Sequence, residues 1–226
     1  MVDHAEILQF NPAIAETERL NIRELQTGDE DDLVQIFTHP DVLQHVAFDP
    51  ISSVEDAEQY IQQSIQFRQQ RPRSSYEFAI VSKETGKVVG VNMLHVSERD
   101  RKAEIGMFLK KDEWGKGYAT EAQLALMEFG FTKLGLHKLW ATCEPDNNGS
   151  KKVIEKTGMQ FITQIRDDKW IRRQNRYRDS LMYDILDSDW QVFKKKDTPA
   201  RPIITAVNPK LIYLYSLIGC SSIDIQ

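Results

Sequence analysis

Glu113-Trp114-Gly115-Lys116-Gly117-Tyr118-Ala119-Thr120-Glu121-Ala122 runs a glycine-rich turn straight into a long apolar helix. Gly115 and Gly117 let the backbone fold tightly, so several N–H groups can face one point. The helix behind them adds unpaired N-terminal amides and the positive end of its dipole. Together these favour an anion, most naturally a phosphate. The stretch implies a phosphate-bearing ligand without naming it.

Outward from the turn, the helix is predicted over residues 117–133. Leu124, Met127, Phe131 and Leu134 recur at helical steps, and Ala119, Ala122 and Leu126 widen the stripe. Three strands are expected before it, at 76–82, 88–96 and 102–109. Polar tips at 83–87 and 97–101 join them, so this part is antiparallel. After the helix come a strand at 137–143, a turn into a short helix at 145–157, a strand at 159–165, a polar excursion at 166–176 and a last strand at 178–186. Upstream, 19–25 reads as a first strand and 30–38 as a short helix stopped by His39-Pro40. A second helix starts at Ser52 or Ser53 and runs to about Gln70. The segment from Asp41 to Gln70 is either a flap over a site or a surface cover for the sheet. The domain then spans 17–190, after a lead-in at 1–16. Residues 191–226 form a tail that is disordered, packs on its own surface or makes an oligomer contact.

The bulk composition narrows the classes. At 226 residues, 41% hydrophobic and 28% charged, the chain reads as an ordinary globular protein able to bury a core. A net charge of −5 argues against nucleic acid as a partner. No run reaches the roughly 20 apolar residues of a membrane span. Cys143 and Cys220 form neither a disulfide framework nor metal-ligand spacing, which points to a reducing cytoplasm and no metal.

The turn is not a Walker loop, because no Gly-Lys-Ser/Thr closes it. Gly115-Lys116-Gly117-Tyr118-Ala119-Thr120 approaches a dinucleotide fingerprint. However, Thr120 replaces the third small residue, five residues separate Leu109 from the turn, and the preceding strands are hairpins rather than parallel units.

The neighbourhood of the loop is more specific. Ala103-Glu104-Ile105-Gly106-Met107-Phe108-Leu109, the loop itself, Pro145-Asp146-Asn147-Asn148-Gly149-Ser150 and Glu155-Lys156-Thr157-Gly158-Met159 follow in that order. Over about residues 17–190 this resembles the GNAT acetyltransferase superfamily, and more narrowly its RimJ/RimL-like branch. The resemblance implies an α+β fold: a mixed, largely antiparallel sheet of about seven strands with helices on both faces. Acetyl-CoA would wedge where the fourth and fifth strands splay. It also implies that Gly117, Tyr118 and Ala119 cradle the CoA pyrophosphate. Trp114, Gly115 and Lys116 would lead into the cradle, Thr120 would add a hydroxyl, and Phe108, Leu109 and Lys110 would flank the cofactor. Trp114 stands where many members have Gln or Arg, which removes a polar contact.

By the same resemblance Glu104 is the general base that takes a proton from the acceptor amine, which attacks a thioester only when neutral. The alternative is an acid that pairs with Arg101 or Lys102. Asn147 would contact the pantetheine arm, and Ser150 would protonate the departing thiolate. The tyrosine common one turn later is Ile154 here. Asn147 and Ser150 also suit a helix cap, and the two roles are compatible. Cys143 has no partner His placed by sequence, so a covalent thiol route is not expected.

The function implied is an N-acetyltransferase acting by direct attack in a ternary complex. A protein N-terminal amine is the first-choice acceptor, with a polyamine or an aminoglycoside as alternatives. A CoA-binding module without catalysis is the second class, and a nicotinamide enzyme a distant third. The flap and the 166–176 excursion should shape the acceptor site, and a homodimer is an alternative use of the excursion or the tail.

Overall fold

The computed structural model describes residues 13–45 and 51–196. The expected irregular stretch around Phe48, Asp49 and Pro50, most of the lead-in, Cys220 and the tail from 197 onward lie outside the described residues.

The chain forms strands β1 (Ala15–Glu16), β2 (Leu20–Glu24), β3 (Ser75–Ser82), β4 (Val88–Ser97), β5 (Lys102–Leu109), β6 (Lys138–Cys143), β7 (Gln160–Ile171) and β8 (Arg176–Leu186). The helices are α1 (Glu30–Phe37), α2 (Pro40–Leu43), α3 (Val54–Gln69), α4 (Tyr118–Thr132), α5 (Asn148–Lys156) and α6 (Asp187–Lys196). They build one mixed sheet in the order β1-β2-β3-β4-β5-β6-β8-β7, antiparallel at every pairing except β5 with β6. Among the described residues the sheet has eight strands, the expected seven and one more. The extra one is the two-residue β1, too short to carry a period.

One sheet face packs on α4 and the other on α1 and α3. Phe78, Ile80, Leu94, Ala103 and Ile105 join Ala122, Ala125, Leu126 and Met127 in one core. Ala79, Val81, Val88 and Val91 join Leu33, Ile36, Phe37, Ala57 and Ile61 in the other. With both faces covered, β3 is buried nearly throughout, and Phe78, Ala79, Ile80 and Val81 form a continuous apolar run within it. Of the expected stripe on α4, Ala122, Leu126, Met127 and Phe131 are buried while Ala119, Leu124 and Leu134 are partly so, and Ala125, outside the stripe, is buried as well. Ser53 starts α3 with a reciprocal capping box to Asp56.

Two expectations change at the C-terminal end. The 166–176 excursion is not an excursion from the sheet. β7 runs on to Ile171, turns through Arg172–Gln174 and returns as β8 from Arg176. Irregular register at Phe161/Thr163 and Ile165/Lys169, with Asp167 at φ 51°, breaks the alternation. As an edge strand with little core face, β7 also lacks a hydrophobic period to read. Beyond the boundary expected near Trp190, α6 continues to Lys196. Trp190 is buried, stacks on Phe131 at 5.8 Å and donates its indole N–H to Glu128 at 2.9 Å.

Candidate active site

The parallel pairing of β5 with β6 lasts three residue pairs, Lys102 with Lys138, Ala103 with Leu139 and Glu104 with Trp140. Beyond Glu104, β5 continues to Leu109 against β4 alone, and β6 continues to Cys143 against β8 alone. The facing edges of the two strands therefore part, with Glu104 at the apex of the wedge. A sheet with parted strands offers backbone donors and acceptors that an extended ligand can pair with.

At the open end of β5 the chain makes a tight turn at Lys111–Glu113 and reaches Trp114. The Trp114 indole N–H donates to the Leu109 carbonyl at 2.9 Å, and the Lys111 ammonium lies 4.2 Å from its ring centroid. The departure at Trp114 thus supplies an intrachain bond that closes the loop. Gly115 and Gly117 follow at φ 77° and 87°, the left-handed region that side chains disfavour. Among the described residues, none accepts a hydrogen bond from the N–H groups of Gly115 to Thr120. Free amides at a helix start, beside the positive dipole end, suit a diphosphate.

Glu121 in the first turn of α4 would repel such an anion if its charge were unpaired. Its carboxylate instead accepts from Thr17 Oγ1 and from the Arg19 backbone N–H at 3.0 Å, and pairs with the Arg19 guanidinium at 2.6 Å. Sequence reading missed Arg19, because nothing local marks a partner 102 positions away.

Glu104 is half-buried, and the Thr142 hydroxyl lies 3.4 Å from Oε1, a long contact. Lys169 of β7 donates to that hydroxyl at 2.8 Å. The neighbours expected as pairing partners are engaged elsewhere: Lys102 with Asp100 at 3.1 Å, and Arg101 with the Gly135 carbonyl at 2.7 Å. Across the wedge, Asn147 caps α5 by accepting from the Ser150 N–H at 3.0 Å. Ser150 sits beside Cys143, whose thiol burial pushes up to about 11, so it stays protonated and is not a ready nucleophile. Ile154 is buried in the core one turn on.

The flap and the β7–β8 hairpin meet near the end of β6. Arg173 donates to the Leu43 carbonyl at 2.7 Å, and His45 Nδ1 lies 2.9 Å from Glu144 Oε2. Arg178, itself buried, binds the other Glu144 oxygen. His45, Glu144 and Asp146 bring ligand atoms within 4.8 Å of one another, yet the Arg178 guanidinium on Glu144 opposes a cation there. On the same sheet face, Glu77 of β3 is buried against Tyr60, and desolvation raises its carboxyl to about 7.

A wedge between parted strands, with unpaired amides at a helix start beyond its open end, has the shape to receive an extended ligand with an anionic group. Residues 19–160 match the family described as acetyltransferase (GNAT) domain, and the chain belongs to that family of N-acetyltransferases. An uncharacterized N-acetyltransferase p20 of Bacillus licheniformis is 32% identical over 179 residues, covering 77% of this chain and 96% of the relative. The solved ribosomal-protein-S5-alanine acetyltransferase of Vibrio fischeri superposes with a TM-score of 0.69 at 18% identity, covering 77% of this chain and 97% of that one. The spermidine N-acetyltransferase of Vibrio cholerae, solved with CoA and spermine, gives 0.66 at 20% identity, covering 76% and 98%. Among the described residues no helix is long and apolar enough to cross a membrane.

Proposed function

We propose that this chain moves acetyl from acetyl-CoA to a primary amine by direct attack in a ternary complex. The observation that carries this reading is the parting of β5 and β6 at Glu104, with free loop amides at one end of the wedge and Ser150 on its far side. Acetyl-CoA supplies an activated thioester. The amides of Gly117, Tyr118 and Ala119 bind its pyrophosphate, Asn147 meets the pantetheine arm, Glu104 takes the proton from the acceptor amine directly or through water, and Ser150 protonates the departing thiolate. The neutral Cys143 thiol supports direct attack over a covalent intermediate.

A protein N-terminal amine is the first-choice acceptor, in line with the likeness to a ribosomal-protein acetyltransferase. A small polyamine is the second, in line with the likeness to a spermidine acetyltransferase. A thiol-release assay across N-terminal peptides and polyamines ranks the two. Failure to bind acetyl-CoA in calorimetry would sink both, whereas binding without turnover on any amine would leave a CoA-binding module.

A further inference from the structure

Arg19 stands in the turn between β1 and β2, far in sequence from the loop it touches. Nη1 donates to the Lys116 carbonyl at 2.8 Å, and Nε donates to Glu121 Oε2 at 2.7 Å. Nη2 approaches the same carboxylate at 2.6 Å. The guanidinium carbon lies 4.6 Å from the Tyr118 ring centroid. A Cβ on Gly117 would come within 3.3 Å of Nη2, so the guanidinium packs against the residue at the centre of the loop. Glu121, in turn, is fastened by Thr17 Oγ1 and the Arg19 backbone N–H.

The planar peptide turns this contact into an orientation. In a trans peptide the carbonyl and the following N–H point in opposite directions. Holding the Lys116 carbonyl toward Arg19 therefore turns the Gly117 N–H away from it, and that N–H has no acceptor among the described residues. The same relation holds at the previous corner. There the Leu109 carbonyl accepts from Trp114, and the Lys110 N–H points the other way, to the Val89 carbonyl at 2.8 Å.

We infer that Arg19, clamped by Glu121 and Thr17, is a positioning residue for the cofactor, aiming the Gly117 N–H at the diphosphate of CoA through the Lys116–Gly117 peptide. The inference rests on the loop being the CoA cradle. Its physical core is that an amide aimed before the ligand arrives costs no ordering on binding. A plain staple between β2 and α4 would instead stabilise the fold without distinguishing one end of the cofactor from the other.

Calorimetry on the full chain separates these, with CoA and with pantetheine, which lacks the diphosphate, as probes. Arg19→Ala should weaken CoA about tenfold, roughly the loss of one hydrogen bond to a charged group, and leave pantetheine unchanged. In steady state the loss should fall on the KM for acetyl-CoA rather than on kcat. Arg19→Lys keeps the charge but lacks the fork that holds the carbonyl and the carboxylate together, so it should lose nearly as much. Full CoA affinity in Arg19→Lys, or equal weakening of both probes in either variant, overturns the inference. Should Arg19→Ala not fold, amide exchange on the wild type decides: CoA should protect the Gly117 N–H and pantetheine should not, and protection by neither overturns the inference. A wild type that binds no CoA overturns the underlying reading and the inference with it.

Discussion

His45 and Glu144 meet across the end of β6 with Nδ1 and Oε2 2.9 Å apart, tying the flap that follows α1 to the strand that carries the wedge. Arg178 of the hairpin holds the other Glu144 oxygen, and Arg173 holds the Leu43 carbonyl, so flap, wedge and hairpin are one connected rim. The two regions expected to shape the acceptor site are joined through the one Glu144 carboxylate.

Glu144→Ala should therefore leave Arg178 buried without its partner. A loss of about 3 kcal/mol in stability is expected, the range for breaking a buried pair. Denaturant unfolding checks it, and a change below about 0.5 kcal/mol, typical of a surface site, would refute the buried-pair reading.

Glu77 gives a pH signature. Its carboxyl is raised from 4.5 to about 7 by desolvation, so the folded state holds the proton more tightly than the unfolded state. The folded state's advantage is fully present below pH 4.5 and lost as pH rises through 7. Glu77→Gln cannot ionise. Its melting temperature relative to wild type should climb between pH 5 and pH 8, by an amount equivalent to roughly 2–3 kcal/mol. A constant offset across that range would show that Glu77 does not titrate there.

Glu104, Thr142 and Lys169 form a chain of contacts into the wedge. Glu104→Gln should lower kcat about a hundredfold or more if the side chain is the base. Thr142→Val should lower kcat severalfold by loosening the Glu104 carboxylate it touches. An unchanged kcat would separate Thr142 from the base.

Ser150→Ala should lower turnover more than CoA affinity, since the cap depends on Asn147 Oδ1 and the Ser150 N–H, both retained. An unchanged single-turnover rate would remove Ser150 from proton delivery.

Trp114→Phe keeps a ring beside Lys111 and removes only the N–H to Leu109. The acetyl-CoA KM should rise severalfold, the scale of one neutral hydrogen bond, with little change in melting temperature. An unaltered KM would show that the loop keeps its shape without that bond.

What could be read in advance followed local rules. Gly115 and Gly117 announced a tight turn, which the structure makes with left-handed backbone, Ser53 announced a helix start, and hairpin tips at 83–87 and 97–101 announced antiparallel neighbours, as β3, β4 and β5 show. The second half of β7, beyond Ile165, escaped because an edge strand with irregular register has no buried alternation. The stripe on α4 was legible through Ala122, Leu126, Met127 and Phe131, but not the burial of Ala125, a small residue outside it, or the partial exposure of Leu124.

The sequence by itself determined most of the order of elements, the tight glycine turn ahead of α4 and, through its resemblance, the family, because period, capping and glycine placement are properties of neighbouring residues. Only the tertiary structure decided that Arg19 clamps Glu121, that His45 and Arg178 share Glu144, and that β5 and β6 part at Glu104. Charge pairs carry no register in the chain, and residues about a hundred positions apart meet only after the sheet and its covering helices have closed around two cores.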